Sequence, residues 1–352
     1  MAASMTAATA TVAFAETEEA AEETTDDAET ADDAEAADDA EAADDAETTD
    51  DAEAADDTAD ADKEAADKVA ALIDAIYVQE RTDDTDEQCK EAKEAWDALT
   101  DAQKELVEGE EASPEYFGRD TGDASKDDPR NQDEIGENEL LVVSFGTSFN
   151  DSRAEDIKGI EDALAEAFPD WSVRRAFTAQ IIINHVQARD DEKIDNMQQA
   201  LDRAVANGVK NLVVQPTHLM HGAEYDEMVE AIDAYKDKFE SVAIAEPMLG
   251  EVGDDATVIN DDKAAVAQAI TDEAVKEAGY DSMEAAAEDG TAFVFMGHGT
   301  SHSANVTYDQ MQTQILLYRL RNGKHIAYLL EHTVQLVVEI FVASTRRLVT
   351  II

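Results

Sequence analysis

Residues 293–305 read FVFMGHGTSHSAN, and this stretch decides the fold that the sequence predicts. Its apolar run from Phe293 to Met296 is too short for a helix and is ended by two glycines, so it predicts a buried strand followed by a sharp turn. His298 lies between those glycines at the carboxyl end of the strand, where open α/β sheets bind their ligands. The alternative interpretation is a polar turn whose histidine bonds only to backbone.

A second stretch repeats this pattern at a constant offset of 153 residues. Residues 141–150 read LVVSFGTSFN and residues 294–303 read VFMGHGTSHS, so a strand is followed by Gly-Thr-Ser twice in one chain. The repeat predicts two copies of one α/β unit, with Phe145 in the first copy where His298 stands in the second. Chance similarity between two short glycine turns is the alternative.

The charge of the chain is strongly acidic and unevenly distributed. The 352 residues carry a formal net charge of −58, and residues 16–60 contain 23 Asp or Glu and no Lys or Arg. Nucleic acid and anionic membranes would repel such a chain, so we expect neither as a partner. The length favours two or more domains. The single cysteine, Cys89, excludes an internal disulfide and belongs to no metal-ligand pattern.

The first 62 residues divide into two segments that cannot form a core. Residues 1–15 end in Ala13-Phe14-Ala15 before an acidic residue, as a signal-peptidase site does. This predicts the remnant of an export signal and a location at or outside the cell surface, with a plain Ala/Thr-rich end as the alternative. Residues 16–62 are a degenerate acidic repeat with alanine as the only apolar residue, which predicts a disordered, extended stalk. Weak, diffuse calcium binding by its carboxylates is a further alternative for this segment. No stretch of the chain has the length and apolarity of a membrane span.

Residues 63–138 are predicted to form a helical hairpin and a linker. Apolar residues recur at helical spacing from residue 69 onwards, which predicts a hairpin over residues 63–110. Residues 92–107, AKEAWDALTDAQKELV, resemble a helical segment of bacterial surface proteins, where it acts as a spacer or attachment module. Residues 111–138 are predicted to be a polar linker. We expect residues 16–138 to be dispensable for folding of the rest.

Residues 139–314 alternate between strand and helix patterns. Strands are predicted at 140–145, 173–177, 211–215, 241–245 and 293–296, and helices at 151–168, 193–206, 225–239 and 261–278. Strands alternating with helices of this length predict an α/β fold, with a parallel, flavodoxin-like sheet and helices on both faces.

The loop after the third predicted strand contains two histidines and a carboxylate. Residues 217–224 read THLMHGAE, which places His218, His221 and Glu224 beyond the carboxyl end of a strand, as His298 is. A zinc site formed by His218 and His221 is one alternative for this loop. Ordinary hydrogen bonds within the loop are the other.

Four motifs follow one another in this part of the chain. They are LLVVSFGTS at 140–148, RAFTAQII at 175–182, QPTHLMHGAEYDEM at 215–228, and VFMGHGTSHSAN at 294–305 with Tyr308. Together they resemble the anaerobic sirohydrochlorin cobaltochelatase family of class II chelatases, over residues 139–312. The resemblance implies a two-lobed chelatase fold related to that of ferrochelatases, with sirohydrochlorin or a related tetrapyrrole between the lobes. It also implies Co²⁺ as the substrate metal, with iron or nickel as further candidates, and no organic cofactor.

The resemblance implies roles for three residues. His298 matches the family histidine that binds the metal and accepts a proton from the macrocycle, so it is the expected catalytic residue and metal ligand. Glu224 and His218 match residues that line the same cleft and are expected to bind substrate. A loop hydrogen bond is the alternative for His218. The chemistry fits, because metal insertion releases pyrrole protons that a neutral imidazole can accept, and a carboxylate favours the cation.

The end of the chain departs from the family pattern. The family has a further metal-binding glutamate, and a histidine in a Gly-Asp-His-type loop, and nothing after Gln314 matches them. Residues 315–352 are basic, as a reading-frame change would produce, and are expected to form an unpaired tail in which His325 and His332 have no assigned role. We therefore expect a lyase-type cobaltochelatase of cobalamin synthesis with impaired turnover. The alternatives are a surface tetrapyrrole- or metal-binding protein without turnover and a surface interaction protein.

Overall fold

The computed structural model describes residues 50–117, 122–257, 259–322, 327–330 and 347–351. The predicted export remnant and the stalk as far as residue 49 lie outside the described residues. From residue 50 the chain is helical, so the prediction of an extended stalk is wrong for its last part. None of the helices in these described ranges has the length and apolarity needed to span a membrane.

Helices and strands alternate along most of the described chain. The helices are α1 (Asp50–Ile76), α2 (Thr85–Ala98), α3 (Asp101–Lys104), α4 (Asn150–Ser152), α5 (Lys158–Ala167), α6 (Gln180–Asp190), α7 (Met197–Ala206), α8 (Ala223–Asp233), α9 (Asp261–Glu277), α10 (Met283–Glu288) and α11 (Val306–Asn322). The strands are β1 (Asn138–Ser144), β2 (Ser172–Phe177), β3 (Asn211–Pro216), β4 (Ser241–Ile244), β5 (Thr291–Met296), β6 (Ala327–Leu330) and β7 (Arg347–Ile351). Every strand predicted from the sequence is present, with small shifts at the ends.

Three of the predicted helices differ from the structure. The helix predicted over residues 225–239 ends at Asp233 and is followed by a 3-10 turn, Lys236–Lys238. The helix predicted over residues 151–168 is divided by a π-helical turn, Arg153–Ile157, between α4 and α5. The helix predicted over residues 193–206 begins only at Met197. In addition, α6, α10 and α11 have no counterpart among the predicted elements.

Each sheet is built around the first strand of its own α/β unit. β1 pairs in parallel with β2 and β3, and β4 extends the sheet, which gives the order β2-β1-β3-β4. β5 pairs in parallel with β6 and β7, which gives the order β6-β5-β7. The two central strands begin at Asn138 and Thr291, which are 153 residues apart, as the sequence repeat requires. The α/β class and its repeated unit are therefore confirmed. We call residues 138–244 the first lobe and residues 261–351 the second lobe.

β1 is buried on both faces, which explains its uninterrupted apolar run. Side chains along a strand alternate between the two faces of the sheet. Leu141 and Val143 pack with α7 and α8, whereas Leu140 and Val142 lie on the opposite face with residues of α5. Helices thus cover both faces of the first sheet, as predicted. In the second lobe, β5 packs against α9 and α11.

Residues 50–117, which we call the helical unit, pack against α6. Ala188 of α6 belongs to the hydrophobic cluster of the helical unit, and the Asn184 side-chain amide donates to the Ile76 carbonyl over 2.8 Å. The rings of Tyr116 and His185 lie against each other with centroids 4.3 Å apart. The hairpin and the α/β part therefore share buried contacts, and the dispensability of residues 16–138 for folding stays a prediction.

The predicted linker also packs into the first lobe, through buried charges. The Asp127 carboxylate accepts hydrogen bonds from Arg175 at 2.7 and 2.8 Å and from Arg153 at 3.1 Å. Arg175 also donates to Glu161 at 2.7 and 2.9 Å, and all four side chains are fully buried. Burial by itself raises the pKa of Asp127, but the hydrogen bonds and charge of Arg175 outweigh it and hold that pKa below its usual value. A segment that completes a buried charge network is not a free spacer.

Two segments of the predicted unpaired tail are paired. β6 and β7 lie on either side of β5. The first paired residues are Phe293 with Ala327 of β6, and Thr291 with Arg347 of β7. The prediction of an unpaired tail is wrong for these segments. The physical reason is that a central strand needs partners on both edges for its backbone N–H and C=O groups. His325 and His332 lie outside the described residues.

Candidate functional site

The turn after β5 presents His298 at the carboxyl end of the central strand of the second lobe. Gly297 has no room for a side chain, because a Cβ atom there would lie 2.4 Å from Cε1 of Tyr308. Gly299 has a φ angle of +78°, a conformation that favours glycine. His298, between them, is exposed. Both glycines are therefore needed for the backbone path that brings the imidazole to the surface.

One hydrogen bond determines the tautomer of His298. Its Nδ1 atom lies 2.9 Å from the carbonyl oxygen of Gly299. Because a carbonyl oxygen only accepts, Nδ1 carries a proton, and in the neutral form of the ring Nε2 therefore keeps its lone pair. The histidine thus bonds to backbone, as the alternative interpretation held, and still offers a nitrogen that can bind a metal ion or accept a proton.

His218 is held in a well-fixed loop, yet its ring nitrogens have no protein partner within the described ranges. Thr217 N donates to the Val143 carbonyl at 2.8 Å, and Met248 N donates to the His218 carbonyl at 3.0 Å. Both imidazole nitrogens are buried without a hydrogen bond. Burial lowers the pKa of His218 against the opposing charge of Glu224, so the ring is neutral near pH 7. Buried polar atoms without partners are rare, and a polar group of a ligand would satisfy these two.

Glu224 is the acidic neighbour of His218. It lies in the first turn of α8, where the partial positive charge of the helix N-terminus favours a carboxylate. It is exposed to solvent, and its charge acts on His218. A carboxylate in this position can exchange protons with water and attract a cation towards the buried imidazole.

The other two histidines of the motifs are paired with carboxylates. His221 Nε2 lies 2.6 Å from the Glu246 carboxylate. His302 Nδ1 accepts from Ala304 N at 3.2 Å, so its Nε2 carries the proton and faces the Asp226 carboxylate, also 3.2 Å away. The alternative of a zinc site from His218 and His221 is not assembled, because His221 is engaged by Glu246. Sequence reasoning missed both carboxylate partners, since they are distant in the chain and no local pattern marks them.

The loops that carry the site residues meet between the two lobes. Met220, from the loop after β3, packs with Ala304 and Tyr308, which follow β5. The His302–Asp226 pair joins the same two regions. The structure therefore places the predicted site residues on loops that contact each other at the carboxyl ends of the strands. It does not bring them into a ready metal cluster: no three His, Cys, Asp or Glu side chains in the described part of the chain lie close enough to hold a metal ion.

Exposed apolar side chains collect at the carboxyl edge of the first sheet. They follow β1, β3 and β4, each is between 37% and 45% exposed, and they are Phe145, Phe149, Leu219 and Met248. We call these four residues the apolar rim. The sequence repeat singles out Phe145 alone. Because exposed apolar groups clustered at one edge mark a binding surface, the rim is suited to a flat apolar ligand.

Fold and site together define a class: a two-lobed α/β protein with histidines at the strand ends where its lobes meet. The chain belongs to the cobalt chelatase (CbiK) family, which matches residues 138–329. The family predicted from the four sequence motifs is confirmed. The match extends to residue 329, so the expectation that nothing after Gln314 matches the family is wrong for residues 315–329.

Two curated relatives carry the name sirohydrochlorin cobaltochelatase. The protein of Salmonella typhimurium is 32% identical over 177 residues, which make up 49% of this chain and 60% of that protein. Sirohydrochlorin cobaltochelatase CbiKC of Nitratidesulfovibrio vulgaris is 27% identical over 174 residues, which make up 49% of this chain and 55% of that protein. The matched part therefore spans little more than half the length of these relatives.

Proposed function

We propose that this chain binds sirohydrochlorin between its lobes and inserts Co²⁺ into it, as a lyase-type enzyme of cobalamin synthesis. The family and the names of the two relatives support this substrate and metal. The observation that carries the proposal is the hydrogen bond from His298 Nδ1 to the Gly299 carbonyl, because it leaves an exposed imidazole nitrogen with its lone pair. Imidazole is a suitable ligand for a divalent ion of this type.

His298 serves two stages of the reaction with one lone pair. Metal insertion replaces the two pyrrole N–H protons of the macrocycle by one divalent ion. Nε2 of His298 first binds the ion while it loses water. As the ion passes to the macrocycle nitrogens, the two pyrrole protons leave: Nε2, which the ion has vacated, accepts one, and Glu224 passes the other to solvent.

His218 and Glu224 bind the substrate from the loop after β3 and the first turn of α8. The neutral His218 ring has one N–H donor and one acceptor, both buried, so hydrogen bonds to a polar group of the tetrapyrrole satisfy atoms that the protein leaves without partners. Glu224 is exposed and lies near enough to act electrostatically on that ring. It attracts the incoming cation and passes released protons to solvent.

The apolar rim supports the macrocycle itself. Its four side chains stand at the edge of the first sheet that carries the His218 loop. A flat conjugated ring laid against them removes apolar surface from water on both partners, which is the main source of affinity for such ligands.

We expect turnover to be low, because no three ligating side chains in the described residues lie close enough together to hold the ion. The same observation favours a second candidate, a tetrapyrrole- or metal-binding protein without turnover. The triplet Ala13-Phe14-Ala15 supports a location outside the cytoplasm as part of the proposal.

An absorbance titration of the full chain with sirohydrochlorin, with and without Co²⁺, tests the proposal. His298→Ala is expected to lower the insertion rate at least ~100-fold, the order for a lost proton acceptor, while metal-free sirohydrochlorin binds as before. His218→Ala is expected to weaken that binding instead. His221→Ala is the matched control, because His221 is already engaged by Glu246. Insertion by His298→Ala at the wild-type rate would contradict the proposal, and binding without insertion by the unaltered chain would select the second candidate.

A further inference from the structure

The loop between α1 and α2 reaches the carboxyl edge of the first sheet. Gln79, in this loop, accepts a hydrogen bond at its side-chain oxygen from Gln180 N, the first N–H of α6, over 3.0 Å. The preceding residue, Ala179, donates its N–H to the carbonyl of Phe145 over 3.1 Å. Two hydrogen bonds through adjacent residues therefore connect the helical unit to the first member of the apolar rim.

The loop is held at both of its ends, so its position is defined. The Ile76 carbonyl accepts from the buried Asn184 amide at 2.8 Å. At the other end, the Asp86 carboxylate accepts from Gln187 and from Lys193, each at 2.8 Å. Gln79 in addition satisfies one of the N–H groups that the start of α6 leaves without a helical partner. Contacts of this kind make the loop a fixed wall rather than a mobile connection.

Two consecutive apolar residues of this wall face solvent. Tyr77 is 38% exposed and Val78 is 40% exposed, immediately before Gln79. The next residue, Gln79, links them through Gln180 and Ala179 to the backbone of Phe145, the first residue of the apolar rim. An apolar patch that continues a ligand-binding rim is most simply covered by the same ligand.

We propose that Tyr77 and Val78 form an additional wall of the tetrapyrrole site, so that the helical unit contributes to substrate binding and selectivity. This inference rests on the proposed function, because its ligand is the same macrocycle. Val78 packs against the edge of the ring. Tyr77 offers an apolar ring together with a hydroxyl that donates to a carboxylate side chain of the tetrapyrrole.

The test uses the full chain and metal-free sirohydrochlorin as the probe. Val78→Asp places a negative charge beside an anionic substrate and removes an apolar contact. It is expected to raise the dissociation constant about tenfold or more, on the scale of one lost apolar contact plus like-charge repulsion. Tyr77→Ala is expected to weaken binding by a similar factor, and Tyr77→Phe by less, because it keeps the ring.

Leu106→Asp is the matched control. Leu106 is 42% exposed in the same helical unit, but it lies beyond the far end of α2, roughly 20 Å along the helix from the loop. It should bind sirohydrochlorin as the wild type does. Equal affinity of Val78→Asp, Tyr77→Ala and the wild type would overturn this inference and leave the proposed function standing. Failure of the wild type to bind sirohydrochlorin at all would overturn both.

Discussion

Replacing Asp127 by alanine tests whether the segment before β1 is part of the folded core. The substitution removes a fully buried carboxylate that accepts hydrogen bonds from Arg175 at 2.7 and 2.8 Å and from Arg153 at 3.1 Å. Both guanidinium groups would remain buried with less compensating charge. Breaking a buried pair in this way costs about 3–5 kcal/mol.

The structure places the expected loss at the lower end of that range. Arg175 keeps Glu161 at 2.7 and 2.9 Å, and Arg153 keeps Glu192 at 3.2 Å, so neither charge is left alone. We therefore expect Asp127→Ala to reduce the free energy of unfolding by about 3 kcal/mol. Asp127→Asn keeps the shape without the charge and should cost roughly half as much.

Urea unfolding followed by tryptophan fluorescence measures the loss and its location. The chain has 2 tryptophans, Trp96 in the helical unit and Trp171 beside β2, so single-tryptophan variants report the two parts separately. If the helical unit and the first lobe share one core, the urea midpoints reported by the two tryptophans should decrease by the same amount. Asp128→Ala is the control, because that neighbouring side chain is exposed. A loss below about 1 kcal/mol, or a loss equal to that of the control, would refute the reasoning.

Two further predictions concern a buried carboxyl group and the contact between the lobes. Burial raises the pKa of Glu139 to about 7, although the charge of Arg174 opposes this rise. The folded protein therefore favours the neutral carboxyl group, and the resulting stabilisation is complete below pH 4.5 and is lost as the pH rises through 7. The free energy of unfolding of Glu139→Gln, measured in urea, should therefore rise by ~3 kcal/mol relative to that of the wild type between pH 4.5 and pH 8. A difference between the two proteins that does not change with pH would contradict this prediction. His302→Ala removes the pair with Asp226 that joins the lobes, and it should raise the KM for sirohydrochlorin. Because the pair is partly exposed, the free energy of unfolding should change by less than about 1 kcal/mol. An unchanged KM would show that this pair does not position the lobes.

Local sequence patterns predict most of the α/β part. The apolar run of β1 and the Gly-His-Gly turn after β5 are short-range signals, because strand burial and glycine conformations depend on neighbouring residues. The repeat then places His298 and Phe145 at equivalent strand ends. The positions of His218 and Glu224 follow from their loop after β3. All of these inferences concern residues whose role is set within a few positions along the chain.

The helical unit shows why the remaining features depend on the tertiary structure. The sequence did not predict α6, because its buried residues include Gln180, Asn184 and Gln187. Polar residues at these positions indicate a solvent-exposed segment. The helical unit supplies the side-chain partners of Asn184 and Gln187, which are the Ile76 carbonyl and the Asp86 carboxylate. The Gln180 side chain bonds in turn to Asn184 and Asn196. A polar helix face cannot be distinguished from a solvated one until its partner is known.

The sequence by itself determined the two α/β units, their glycine turns and the strand-end positions of the site residues. Tertiary structure alone decided which charges meet: Asp127 with Arg175, His221 with Glu246, and His302 with Asp226. It also decided that β6 and β7 flank β5. The physical reason is that periodicity and backbone preference act between near neighbours, whereas ion pairs and strand pairing join residues far apart in the chain and leave no local pattern.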